Sequence, residues 1–474
     1  MVSSGLPRRS LLLAGVGGLA ACAVPPAQPA ATSPTADPFL DDLQERTFRF
    51  FWETTNAQNG LAHDRWPTRS FSSIAAVGYA LTAYPIGVER GWITRAQARD
   101  RTLTTLRFFD TAPQGPAASG VSGHRGFFYH FLDMQTGLRF EQTELSTIDT
   151  TLLLGGVLFA QGYFDRADPG EAEIRRLADR IYGRVEWTWI QPRRPLVNMG
   201  WKPEGGGGFL QSDWDAYNEA MLLYVLALGS PTHPLADGAW QAWTARFNAW
   251  GQHWGQTYEH FAPLFGHQYS HVWVDFRGIR DDFMRGKGID YFENSRRATY
   301  AQQAYAVENR GRFRDYGPLV FGLTACDGPG DFKQVIEGRE YEFFSYSARG
   351  PGDRDDGTLA PTALGGSIPF APEITIPALK EIRRRYGSAL YGRYGFLDSF
   401  NPTLASSARK LLHGRIVPGV GWIDGDYLGI DQGPIVAMIE NHRSDLVWRV
   451  MRKSPYIRHG LQRAGFRGGW LDAA

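Results

Sequence analysis

Ser212-Asp213-Trp214-Asp215-Ala216-Tyr217-Asn218-Glu219-Ala220-Met221-Leu222-Leu223-Tyr224 sets carboxylates and aromatics at the head of an apolar run that reads as a buried helix. Ser212 and Asp215 have capping-box spacing, which predicts a helix from Asp213 with its first-turn N–H groups satisfied locally. In that frame Glu219 falls in the second turn, where capping and dipole benefits have faded, four residues from like-charged Asp215. A carboxylate held at that cost is a candidate for chemistry. The competing reading is a solvated helix edge with Asn218 and Glu219 facing water.

The same design, a polar start feeding an apolar stripe, recurs outward from this segment. Leu40, Leu43, Thr47 and Phe50 form one stripe, and Ile174, Leu177, Ile181 and Val185 another. Thr94 and Gln97 have capping-box spacing ahead of Leu103, Leu106 and Phe109, and Trp240, Trp243, Phe247 and Trp250 keep a helical period. Further helices are expected near Phe71, Ile148, Ala298, Ile374 and Pro434, between Gly- and Pro-rich loops at 203–208 and 350–357. Alternating residues at 269–276 and 340–346 predict short strands in the loops. Helix after helix without a dividing linker implies an all-α fold, either a solenoid or a closed ring of paired helices. Irregular lengths and long decorated loops favour the ring, an α/α toroid.

The chain ends and composition bound where the protein works and what it meets. Arg8-Arg9-Ser10 precedes an apolar run, residues 11–21, that is too short to cross a bilayer and is built like a secretion signal. The paired arginines resemble a twin-arginine signal, and Leu19-Ala20-Ala21-Cys22 resembles a lipobox, which makes Cys22 the expected lipidation site. Ordinary secretion past a coincidental cysteine is the alternative. The expected organisation is a signal peptide with lipobox at 1–22, a Pro/Ala-rich tether at 23–37 and a catalytic domain at 38–474. The product is then an exported lipoprotein, periplasmic or in the outer membrane, held to the membrane through Cys22. Cys326 is the only other cysteine, so a lipidated chain has no internal disulfide and relies on its core. A net charge of +1 gives no field to draw nucleic acid, and 15 Trp and 20 Tyr suit neutral sugars as well as cores. A monomer is expected.

Besides Glu219, three acidic strings compete for the chemistry. Asp149, in Glu144-Leu145-Ser146-Thr147-Ile148-Asp149, sits at capping-box spacing from Ser146 and is either a helix-start residue or an active acid. Asp431, in Gly429-Ile430-Asp431-Gln432-Gly433-Pro434, lies just before an expected first-turn proline with Gly433 as cap. It is a better catalytic candidate than an average Asp, although turn formation alone accounts for it. Asp355 and Asp356 precede Gly357 in what is most simply an Asp-Gly turn. His267, His271 and Asp275 repeat every four residues, but the alternation around them favours strand or loop, where that spacing does not converge on a metal. No nucleotide, phosphate or serine-elbow motif appears.

Taken together, Thr143-Glu144-Leu145-Ser146-Thr147-Ile148-Asp149-Thr150, Tyr217-Asn218-Glu219-Ala220, Gly266-His267-Gln268-Tyr269-Ser270-His271, Asp275-Phe276-Arg277-Gly278, Glu293-Asn294-Ser295-Arg296-Arg297 and Gly429-Ile430-Asp431-Gln432-Gly433-Pro434 resemble the glycoamylase-like domain of glycoside hydrolase family 144. The resemblance covers nearly all of the chain after the tether. It implies an (α/α)6 barrel with long loops and a few short strands, hydrolysing β-1,2-glucan with inversion and without cofactor or metal. Carried over by position, Glu219 is the expected general acid and Asp431 the base, with Asp149 orienting substrate or replacing Asp431. Tyr217, His271, Trp273, Arg277, Trp201, Trp422, Asp355, Asp356 and Glu144 are the expected substrate contacts. Endo action leads; exo release of sophorose, transfer to an acceptor, and a lipid-anchored glycan-binding protein without turnover are the alternatives.

Overall fold

In the computed structural model, which describes residues 37–473, the first helix begins where the Asp37 side chain accepts from Phe39 N and Pro38 fills the first turn. The expected signal, tether and Cys22 at residues 1–36 lie outside the described residues. In chain order the helices are α1 Pro38–Thr54, α2 Ile74–Glu89, α3 Arg95–Thr111, α4 Thr147–Tyr163, α5 Pro169–Gly183 and α6 Met221–Gly229. There follow α7 Ala239–Thr244, α8 Tyr269–Trp273, α9 Asp282–Lys287, α10 Tyr291–Glu308 and α11 Pro361–Gly365. The chain closes with α12 Pro372–Leu390, α13 Gly429–Ser444, α14 Leu446–Met451, α15 Pro455–Arg463 and α16 Gly469–Asp472. Strands are short antiparallel pairings in the connecting loops, none longer than five residues. The fold is helix-rich and all-α in class.

Two kinds of helix divide the labour. α1 and α5 are amphipathic, burying one stripe and showing the other to water. α2, α4, α6 and most of α13 are buried on nearly every face, which explains their continuous apolar runs. These buried helices touch in sequence: α2 packs on α4, α4 on α6, α6 on α8, α8 on α13, and α13 back on α2. The amphipathic helices back them, α1 against α13 and α2, α5 against α4 and α3, and α15 against α6. The α2–α4 contact is made backbone to backbone. A Cβ on Gly78 would meet Leu152 O at 2.2 Å, and one on Gly156 would meet Gly78 O at 2.0 Å, so only glycine permits this approach.

Local signals hold where the local chain decides. Thr94 and Gln97 form the expected capping box, and Leu40, Leu43, Thr47 and Phe50 are buried together. Residues 340–346 contribute the strand Arg339–Phe343, paired with Phe332–Ile336. Four expectations are corrected. The helix expected from Asp213 starts at Met221 instead, because Met199 N donates to Ser212 O and Trp214 N donates to Val197 O, and Asn198 Nδ2 grips the same segment. Pairing with residues 197–199 thus takes the backbone that capping would have used. The Trp240 stripe ends at Thr244, and Trp250 begins a strand. Residues 269–273 form α8, not a strand. Pro434 lies inside α13, whose first turn already contains Asp431.

Candidate active site

The N-terminal ends of α2, α4 and α13 lie side by side. Ile74 N donates to His130 O at the head of α2, and the His130 ring reaches Asp149 at the head of α4. Gly429 N donates to Asp64 O, and Arg65 and Trp66 pair with Leu428 and Tyr427, which launch α13. Asp149, Asp431, Asp64 and Arg65 therefore come to one end of the buried helices from positions hundreds of residues apart.

Ser146 caps α4 as its sequence implies, accepting from Asp149 N, and its hydroxyl donates back to Asp149 Oδ2 at 2.5 Å. The other carboxylate oxygen faces His130 Nε2 at 3.5 Å, while His130 Nδ1 holds Glu144 at 2.8 Å. Burial alone would push the imidazole down, but Asp149 and Glu144 outweigh it and lift His130 to about 9. Burial would raise Glu144, and its bond to His130 holds it below the usual range. Asp149 and Glu144 are thus bridged by a charged imidazolium.

Glu219 sits in the turn just before α6. Asn218 Oδ1 accepts from Ala220 N, and Ser270 from α8 donates to Glu219 O while accepting from Leu222 N. Tyr217 is buried, stacked parallel to Tyr291 with ring centroids 6.0 Å apart and bonded to His267 Nδ1. Asn218 and Ser270 fix the backbone that carries the carboxyl. Glu219 Oε2 is sealed from solvent without a hydrogen-bond partner. Burial, with a contribution from the charge of Asp149, raises Glu219 from 4.5 to about 7.

Asp431 on α13 is 2% exposed, and its Oδ2 also lacks a partner. Its carboxyl lies beside that of Asp398, whose Oδ1 is also unpartnered, and burial raises both. Two carboxyls buried this close together titrate as one pair, and neither ionises readily beside the other. Asp398 Oδ2 in turn accepts from Asp327 N at 2.8 Å. Tyr79 packs against α13 at Gly433, with its hydroxyl in the field of Asp431 and Asp149. A Cβ on Gly433 would meet the Tyr79 ring at 2.0 Å, so Gly433 serves a close approach and not the cap expected from sequence.

Asp327, Asp398 and Asp424 each place an oxygen within 4.8 Å of the others, the one grouping among the described residues with spacing to hold a cation. Arg65 already meets Asp327 at 2.7 Å and Asp64 at 3.3 Å. Burial raises Asp64 to about 6 against the pull of Arg65 and His130. Beyond Arg65 opens a cleft of about 890 Å³ lined by Trp66, Arg69, Phe71, Phe140 and His413 among others.

The remaining sequence candidates are distributed differently. Glu144 belongs to the cluster through His130, and Trp201 lies one strand away, paired with Leu145 and packed on His124 and Trp189. Trp422 is fully buried and donates to His413 O, backing a cleft residue without facing the cleft. Trp273 is enclosed against Tyr79 and Thr82, and His271 is buried on Ser295. Arg277 pairs with Asp275 and with Asp445, the C-terminal cap of α13, at the far end of that helix from Asp431. Asp355 accepts from Tyr305, Tyr316 and Gly357 N; Asp356 is locked to Arg349, with both side chains fully buried. Each of these residues, from Trp422 to Asp356, has a packing, hydrogen-bond or ion-pair partner within the protein. His267, His271 and Asp275 likewise have separate partners, the last in Arg277 and Arg452.

Sequence reasoning missed Tyr79, His130, Asp64, Arg65, Asp327, Asp398 and Asp424. One signal was present: Asp424-Gly425-Asp426 sets two carboxylates a few residues ahead of the Asp431 string.

The Glycoamylase family model, described as "Putative glucoamylase", matches residues 211–455. A curated relative from Parabacteroides distasonis, an exo beta-1,2-glucooligosaccharide sophorohydrolase (non-reducing end), is 28% identical over 468 residues, covering 92% of this chain. The chain spans 59% of that relative's length. An endo-beta-1,2-glucanase from Chitinophaga pinensis, solved with sophorotriose and glucose, matches with a TM-score of 0.75 at 25% identity, over 91% of this chain and 98% of that one. A beta-1,2-glucanase from Parabacteroides distasonis matches with a TM-score of 0.74 at 27% identity, over 90% of this chain and 59% of that one.

Proposed function

Because the chain belongs to the Glycoamylase family, we propose that it is a glycoside hydrolase acting on β-1,2-glucan, with Glu219 as general acid and Asp431 as general base. The observation that carries this reading is Glu219 itself: a carboxyl with a sealed, unpartnered oxygen, raised to about 7 by burial and ready to protonate a leaving oxygen near neutral pH. Glu219 gives its proton to the glycosidic oxygen as the bond to the anomeric carbon breaks. Water attacks that carbon from the opposite face and passes its proton to Asp431, so the new hydroxyl carries inverted configuration. Asp398 stands beside Asp431 as its titration partner, and Asp149 with His130 orients the sugar beside the acid.

The circuit of contacts α2–α4–α6–α8–α13 supports a closed ring of inner helices backed by outer ones, the (α/α)6 barrel that the sequence resemblance implies. Endo cleavage is the leading mode; the sophorohydrolase relative supports exo release of disaccharide as the second reading. Export through the paired arginines and anchoring at Cys22 place the enzyme outside the cytoplasm, on the strength of the lipobox followed by a proline-rich tether. Product mass and anomeric configuration on linear and cyclic β-1,2-glucan, with starch and β-1,3-glucan as controls, test the assignment. Mixed oligosaccharide sizes indicate endo action and uniform disaccharide indicates exo action. Turnover of starch alone, or a first product of retained β configuration, refutes it.

A further inference from the structure

Among the described residues, every Phe and Trp and all Tyr but one are buried or only partly exposed; Tyr346, at 49%, is the exception. It does not stand at a random place. Ala325–Cys326 pairs antiparallel with Ser347–Ala348, in the register Cys326 to Ser347. Asp327 and Tyr346 are the residues next to that last pair, so both flank the same end of the ladder. Asp327 is the residue whose N–H binds Asp398, the partner of Asp431. Burial of the hydroxyl raises Tyr346 well above its ordinary value, and the charges of Asp431, Asp398 and Asp64 add to the rise. An exposed ring therefore borders the carboxyls at the heart of the site.

The loop that carries this ring is pinned from both sides. Phe344 N donates to Asp356 and Ser345 N to Asp331, each at 3.0 Å, while the Ser345 hydroxyl donates to Asp331. Arg349, fully buried, donates to the carbonyls of Phe344, Ser345, Ser347 and Cys326 and is itself held by Asp356. A buried Arg–Asp pair is an expensive device for stabilising a loop, and a small one is enough for a mere connection. Here it fixes the direction of a half-exposed ring, so binding against that ring does not have to order the loop first.

We infer that Tyr346 is a substrate-binding residue whose ring forms the wall on which a glucosyl unit next to Asp431 stacks through its C–H face. Such a wall acts on a neutral, ring-shaped ligand and requires the aromatic face, not the hydroxyl. The inference rests on the glucan-hydrolase reading, and the experiment separates the two. Steady-state hydrolysis of β-1,2-glucan oligosaccharides is measured for wild type, Tyr346→Phe and Tyr346→Ala. Their binding is measured by calorimetry in the Glu219→Gln background, with thermal unfolding as the fold control. Tyr346→Phe is expected to keep KM within about twofold, and Tyr346→Ala to raise KM and Kd roughly tenfold with kcat little changed and Tm preserved. An active wild type with Tyr346→Ala unchanged in KM and Kd overturns the role of Tyr346. Equal losses in Tyr346→Phe and Tyr346→Ala overturn stacking in favour of the hydroxyl. A wild type that turns over no β-1,2-glucan overturns the hydrolase reading instead.

Discussion

Replacing Glu219 by Gln tests the acid and its environment in one variant, because the structure predicts opposite effects on activity and on stability. The wild-type carboxyl rises from 4.5 to about 7 on folding. At about 1.4 kcal/mol per pH unit, the folded protein forgoes up to about 3 kcal/mol once both states are ionised. The sign follows from the direction. Below pH 4.5 the group is protonated folded or unfolded and costs nothing; as pH rises through 7 the unfolded chain ionises more readily, and stability is lost. Glutamine has nearly the same shape and no such titration. Glu219→Gln should therefore match or fall slightly below wild type in urea unfolding at pH 4.5, since its amide still faces the unpartnered position of Oε2. At pH 8 it should exceed wild type by about 2–3 kcal/mol. Hydrolysis of unactivated β-1,2-glucan should drop by about 10²–10⁴, the usual worth of a positioned proton donor, while binding by calorimetry persists. A pH-independent stability difference refutes the electrostatic account of Glu219, and near-normal turnover refutes its role as acid.

Three further outcomes follow from the same geometry. Asp398→Asn puts a neutral amide in place of a carboxyl whose ionisation burial and the charge of Asp431 disfavour; unfolding midpoints should rise relative to wild type above the usual carboxylate range, at about pH 6 to 8, with activity kept within about tenfold, and destabilisation across that range would refute the coupled carboxyl pair. Gly433→Ala drives a methyl into the Tyr79 ring, so it should cost about 1–3 kcal/mol in chemical unfolding despite the better helix propensity of alanine; a stabilised variant would show that Tyr79 yields freely. Cys22→Ala in the full chain should move the protein from the membrane fraction to the soluble one, and an unchanged distribution would refute anchoring at that residue.

The acids at the head of α4 and near α6 and α13 were legible because a helix start is written in a few adjacent residues. Ser146 caps α4 and Asp149 follows in its first turn, as local capping chemistry requires. The burial of α2, α4 and α6 was equally legible, since unbroken apolar runs leave no face for water. Tertiary structure decided the rest. Ser212 carried a good capping signal, yet pairing with residues 197–199 claimed its backbone and moved the helix start to Met221, setting Glu219 in a turn. Trp273 and Trp422 look like sugar platforms in sequence, but they are enclosed, and the exposed ring belongs to Tyr346. Composition assigns an aromatic residue its surface area without saying which side water reaches. Asp431 depends most on the distant chain. Its proton balance is set by burial and by Asp398, Asp327 and Asp64, and carboxyl–carboxyl coupling in a dry site exists only after those distant segments have met.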